Sequence, residues 1–253
     1  MGILKDKVIL ITGGSSGIGK STAELIASEG AIVVIGDIQD KEGKETASEI
    51  VKNGHQASYL RMDVTDFESV KKVTEEVSSR HGRLDGAFNN AGIEGPTAKI
   101  SDYENLDWKK VLDVNLTGVY NCIKCQIDEM QKQAGGGSIV STSSAAGLIG
   151  IPGASGYNSA KHGVIGLSKT IALEYASQNI RVNAVCPGFI ETPMLERVTD
   201  ASIKIREQLI KMVPMKRVAK PSEIADAVAW LLSEKSSYVT GVALPVDGGW
   251  IAQ

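Results

Sequence analysis

The chain has 253 residues, 42% hydrophobic and 23% charged, with 27 Lys+Arg against 30 Asp+Glu for a net charge of −3. That balance is ordinary for a globular protein and gives no basic footprint for nucleic acid. Three cysteines are too few, and odd in number, for a disulfide framework, so a reducing, cytoplasmic setting is expected.

The first apolar run, Val8 to Ile11, is too short for a signal-peptide core. The charge-free stretch from Gln133 to Ala160 is broken by Gly, Ser and Pro152, so no membrane span is expected.

Apolar, β-branched runs then alternate with helical stretches. A strand over 8–12 leads into a helix over 17–28, and a strand over 31–37 into a helix over 40–53. Strand 57–62 precedes helix 67–81, strand 84–89 precedes one long helix over roughly 108–133, and strand 138–143 precedes helix 156–177. Strand 180–186, a helical region over 194–212, helix 221–232 and strand 242–246 complete the chain. Continuous apolar strands separated by helices imply right-handed crossovers and a parallel sheet covered on both faces. The expectation is an α/β fold: one domain over 1–253, a Rossmann-type doubly wound sheet of seven parallel strands with helices on both faces.

Ligands of such sheets bind beyond the carboxyl ends of the strands. Directly after the first strand comes Thr12-Gly13-Gly14-Ser15-Ser16-Gly17-Ile18-Gly19, ahead of a helix. Glycines there permit a tight turn and close approach of a pyrophosphate to the helix N-terminus. Gly14-x-x-x-x-Gly19-Lys20-Ser21 also fits the phosphate loop of nucleotide hydrolases, with Lys20 on the phosphate. The loop alone does not choose between a dinucleotide and a nucleoside triphosphate. Asp37, at the end of the second strand, suits the ribose hydroxyls of NAD and would repel the 2′-phosphate of NADP. No Arg or Lys stands at positions 15, 16, 38 or 39 to neutralise such a phosphate.

Tyr157 and Lys161 share a helix face at i and i+4. An ammonium beside a phenol favours the phenolate, so Lys161 is expected to lower the Tyr157 pKa and make it a usable acid and base. Ser144, thirteen residues earlier at a strand end, can donate to a carbonyl oxygen, or simply cap a turn. Cys122 and Cys125 form C-x-x-C without further metal ligands at suitable spacing, so no metal site is expected and helix packing is the reading.

Thr12 to Gly19, Asn89-Asn90-Ala91-Gly92, Asn115, Ser144, Tyr157-x-x-x-Lys161 and Pro187-Gly188-x-x-x-Thr192 together resemble the short-chain dehydrogenase/reductase family over nearly the whole length. The resemblance implies an NAD-dependent enzyme that interconverts a secondary alcohol and its ketone. It makes Tyr157 the general acid/base, with Ser144 on the substrate oxygen and Lys161 on the nicotinamide ribose. Asn115 would position a water linked to Lys161. Gly13, Ser15, Ser16, Gly17, Ile18, Gly19, Asp37 and Ile38 would hold the adenosine diphosphate end, with Asp63 and Val64 on the adenine. Asn89, Ala91 and Gly92 would shape the cleft, and Pro187, Gly188, Ile190 and Thr192 would hold the carboxamide. A lid over about 189–215 is expected, with Phe189, Met194, Leu195, Val198, Ile203, Ile205, Leu209 and Met212 either walling the substrate pocket or simply packing the lid onto the domain. Family likeness further implies a homotetramer, or at least a dimer, through the long helices around 108–133 and 156–177. The alternatives are an NADP-linked carbonyl reductase of the same family, a P-loop nucleotide hydrolase, and a nucleotide-binding protein without turnover.

Overall fold

The computed structural model describes residues 2–199 and 203–252. In chain order the elements are β1 (Val8–Thr12), α1 (Gly17–Ser28), β2 (Ile32–Asp37), α2 (Asp40–Lys52), β3 (Gln56–Arg61), α3 (Phe67–His81), β4 (Gly86–Asn89), α4 (Asn105–Leu112), α5 (Gly118–Met130), β5 (Gly137–Thr142), α6 (Ser155–Tyr175), β6 (Ile180–Pro187), α7 (Pro193–Thr199), α8 (Ile203–Met212), α9 (Pro221–Leu232) and β7 (Ala243–Val246). All seven strands run parallel in one sheet of order β3-β2-β1-β4-β5-β6-β7.

The two-residue side-chain period of the strands feeds two cores. Along β1, Val8 and Leu10 enter the layer shared with α3, α5 and α6, while Ile9 and Ile11 enter the layer shared with α1, α2 and α9. Cys122 and Cys125 are buried free thiols in the first layer, which confirms their packing role. The strand order reverses beside β1, so the crevice between the carboxyl ends of β1 and β4 is where a ligand of this fold sits.

Two expected helices differ from the sequence reading. The long helix begins at Asn105 and ends at Met130, and Asp113–Thr117 in its middle winds as a π turn. One extra residue per turn re-aims side chains without breaking the helix, a feature frequent at functional sites. The region 194–212 holds two described helices, α7 and α8. Residues 200–202 of the expected lid, and the side chains of Val198 and Ile203, lie outside the described residues.

Among the described residues, no helix is long and apolar enough to cross a membrane.

Candidate active site

The loops after β1 and β4 are stitched together. The Thr12 hydroxyl accepts the Asn90 and Ala91 N–H groups at 3.0 and 3.1 Å, and Asn90 Nδ2 donates to the Gly13 carbonyl at 3.1 Å. Gly13 has φ of +65°, and a Cβ there would stand 2.8 Å from the Ala91 Cα. A Cβ on Gly19 would stand 2.0 Å from the Gly13 oxygen. Both positions therefore require glycine, which leaves bare backbone at the mouth of α1 around Ser16, Gly17 and Ile18. Lys20, the phosphate ligand of the rival hydrolase reading, instead donates to Glu49 at 2.6 Å and lies 3.9 Å from Glu24.

Asp37 is buried, and its carboxylate accepts the Ser15 N–H and the Gln39 N–H, each at 3.1 Å. Those two bonds fix the acid at the β2 end beside the phosphate loop. The structure adds a cation the sequence reading missed: Arg61, at the end of β3, donates to the Ile38 carbonyl at 2.9 Å and pairs with Asp40. Asp63 binds its own turn through the Thr65 N–H and hydroxyl, and Val64 is packed against Gly118.

The expected reacting groups converge. Lys161 is buried on α6 and its Nζ donates to the Thr142 carbonyl at 2.7 Å. It lies 5.5 Å from the Tyr157 ring centroid. Ser144 follows β5, and its hydroxyl accepts the Ala146 N–H at 3.1 Å, so it does cap a turn. It also faces Tyr157, where its hydrogen bond opposes the rise of the phenol pKa. Gly92 closes the group, since a Cβ there would stand 2.7 Å from Asn115 Oδ1 and 3.7 Å from Lys161 Nζ.

One expectation is corrected, and two side chains prove to pack inward. Burial holds the Tyr157 phenol above its ordinary value, with the nearby Glu94 carboxylate adding to the rise, so the expected lowering by Lys161 does not prevail. The cost of burial falls on Lys161 too and depresses its pKa to about 8. The Asn89 side chain turns into the core, where it pairs reciprocally with Gln126 at 3.0 and 2.7 Å, so only its backbone is left to border the cleft. Asn90 is the residue that touches the loop, because β4 ends at Asn89 and its last side chain points inward. Phe189 stacks on Trp250 with ring centroids 4.3 Å apart, so one face of its ring packs the start of the lid onto the domain.

The π turn explains Asn115. Its amide is buried, accepting the Ile93 N–H at 2.9 Å and donating to the Ile93 carbonyl at 2.8 Å. It thereby anchors the loop that follows Gly92. On the lid side, Gly188 N–H bonds Val246, and Ile190 bridges to Ala219 beyond Pro187. Thr192 then leans over α1: a Cβ on Gly17 would stand 3.2 Å from its methyl. Glu94 was also missed. It is held by Arg197 of α7 at 2.7 and 3.1 Å, a pairing 103 residues apart that no local pattern announces.

The comparisons with known proteins agree with this geometry. A family model described as enoyl-(acyl carrier protein) reductase matches residues 13–251. The chain is 40% identical over the full length of both chains to a 2,5-dichloro-2,5-cyclohexadiene-1,4-diol dehydrogenase of Sphingobium indicum. It is 45% identical to a 3-oxoacyl-[acyl-carrier-protein] reductase of Thermotoga maritima, covering 98% of this chain and 99% of that one. It is 42% identical to a cyclohexanol dehydrogenase of Acinetobacter sp. strain SE19, covering 98% and 96%. The crystal structure of levodione reductase superposes with a TM-score of 0.95 at 38% identity, covering 98% of this chain and 99% of that one. The chain therefore belongs to the short-chain dehydrogenase/reductase family of oxidoreductases, which use a nicotinamide cofactor, NAD or NADP.

Proposed function

We propose that the protein is an NAD-dependent dehydrogenase that oxidises a secondary alcohol on a six-membered carbocycle to its ketone, or runs the reverse reduction, with Tyr157 as general acid/base. The observation that carries this reading is the convergence of Tyr157, Ser144 and buried Lys161 beside Gly92 at the carboxyl end of the sheet. A protein that only bound a nucleotide would have no use for that set.

The bare glycine backbone at Gly13, Gly17 and Gly19 suits a pyrophosphate, and buried Asp37 suits the adenosine ribose hydroxyls. Arg61 does not reverse the preference for NAD, because Asp40 and the Ile38 carbonyl already engage it. The bound cofactor supplies the hydride-accepting or hydride-donating ring. Ser144 holds the substrate oxygen. Tyr157 takes the hydroxyl proton as the carbinol carbon loses its hydride, and returns it in the reverse direction. Lys161 holds the nicotinamide ribose, and its positive charge near the phenol favours the phenolate that takes up the alcohol's proton. Asn115 keeps the Gly92–Ile93 backbone against this group.

Substrate class rests on two relatives named for alcohols of six-membered rings. The assay is cyclohexanol with NAD or NADP, followed by absorbance of the reduced cofactor. Turnover with NAD favoured over NADP by at least about tenfold supports the reading; tenfold corresponds to about 1.4 kcal/mol. No turnover with either cofactor, or a clear preference for 3-oxoacyl thioesters over cyclic ketones, refutes it.

A homotetramer, or at least a dimer, is part of the proposal. Leu106 on α4, Tyr120 on α5 and Leu173 on α6 are large apolar side chains left on the surface of the helices expected to pair. A monomer mass at micromolar concentration would refute it.

A further inference from the structure

We propose that Glu94 is a specificity-determining residue that accepts a hydrogen bond from a second substrate hydroxyl, on the far side of the ring from the reacting carbinol, while Arg197 of α7 holds its carboxylate in place. This rests on the cyclic-alcohol reading above and narrows it to ring diols.

Glu94 sits on a fixed stretch of backbone. On one side both polar groups of Ile93 are taken by Asn115. On the other, Gly95 has φ of +72°, and a Cβ there would stand 2.5 Å from Val111 Cγ2 and 3.1 Å from the Tyr103 hydroxyl. Tyr103 also presses on Gly156, the residue before Tyr157, where a Cβ would stand 2.8 Å from its hydroxyl. Backbone tied at Ile93 and closely packed at Gly95 narrows the directions open to the Glu94 side chain.

The side chain crosses to the lid. Arg197 Nε and Nη2 each donate to a different Glu94 oxygen, a bidentate clamp. α7 begins one residue after Thr192, which leans on Gly17 of the phosphate loop. The carboxylate therefore spans from the loop behind the reacting residues to the helix in front of them, and its charge is felt at the Tyr157 phenol. The arginine holds the acid firmly ionised.

An ionised carboxylate has about four lone-pair sites and no donor. Arg197 takes two and Glu94's own backbone N–H takes another, so one acceptor site remains. Neither the proton chemistry of Tyr157 and Ser144 nor the ribose contact of Lys161 uses it. The complementary substrate group is a hydroxyl. A substrate carboxylate at the same place meets repulsion from Glu94.

The test compares wild type, Glu94→Leu and Arg197→Leu on cyclohexanol, cyclohexane-1,4-diol and 4-hydroxycyclohexanecarboxylate. Wild type should show higher kcat/KM for the diol than for cyclohexanol. Glu94→Leu should lower the diol-to-cyclohexanol ratio by roughly tenfold or more, mainly through KM, the scale of a lost hydrogen bond to a charged group. It should also raise the relative use of the carboxylate. Arg197→Leu, which leaves the carboxylate but releases it from its clamp, should lower the same ratio by less than Glu94→Leu does. An unchanged ratio in Glu94→Leu overturns the inference and leaves the pair as a lid clasp only. Wild type that oxidises neither alcohol overturns the proposed function, and this inference with it.

Discussion

Replacing Lys161 with Met should separate stability from activity, and the direction depends on pH. Lys161 is 3% exposed, and its pKa falls from an ordinary 10.5 to about 8. At 1.36 kcal/mol per unit, the charged amine costs the folded state roughly 3 kcal/mol near neutral pH. Full burial leaves little solvent screening to reduce that figure. Met keeps the length of the side chain and removes the charge, but it strips the Thr142 carbonyl of its donor, a loss of about 1–3 kcal/mol. The net at pH 7 is a variant as stable as wild type or up to about 2 kcal/mol more stable. Between the folded pKa of about 8 and the unfolded value of 10.5, the unfolded chain binds the proton and the folded chain does not. Wild-type stability therefore rises with pH through that window, and the variant lacks this rise. By about pH 9.5 the wild type should have gained roughly 2 kcal/mol on the variant. Urea unfolding at pH 7 and pH 9.5, at one protein concentration, measures the difference. Activity should fall by about 10²-fold or more at both. A stability difference between the two proteins that does not move with pH would refute the burial argument.

Tyr157→Phe should lower turnover by at least about 10²-fold while the cofactor still binds, measured by steady-state rates and cofactor titration; near-normal turnover would sink the acid/base assignment. Because burial holds the phenol above its usual value, alcohol oxidation should climb continuously through the alkaline range, and a flat profile from about pH 7 to 10 would contradict this. Asp37→Ser should raise the NADP-to-NAD ratio of kcat/KM by about tenfold or more, as a repulsion worth several kcal/mol is removed; an unchanged ratio would show that Asp37 does not read the ribose. Gly13→Ala combines a positive φ with a backbone contact at 2.8 Å, so it should lose about 1–3 kcal/mol in thermal unfolding and weaken cofactor binding; wild-type values in both measurements would argue against the cradle.

How much of the site was legible depended on the distance over which each contact forms. The Tyr157 and Lys161 pair could be read because a helix brings i and i+4 together whatever surrounds it. Asp37 could be read because strand ends in this fold meet the ligand, and the glycine loop because its spacing sits between a strand and a helix. The inward turn of the Asn89 side chain could not be read, because motif adjacency says nothing about which way the last strand residue points. The π turn at Asp113–Thr117 was invisible because the helical pattern runs through it unbroken.

The sequence by itself determined the alternation of strands and helices, hence a parallel seven-stranded sheet, and the candidates for most of the reacting groups. These follow from local periodicity and from chemistry that particular side chains carry wherever they are. Only the tertiary structure decided how those groups behave. Burial is a property of everything packed around a residue, so it raised the phenol and lowered the amine where sequence spacing had implied the reverse for the phenol. Glu94 and Arg197 likewise meet only after the chain has wound through the sheet between them, because contact across 103 residues is set by topology and not by spacing.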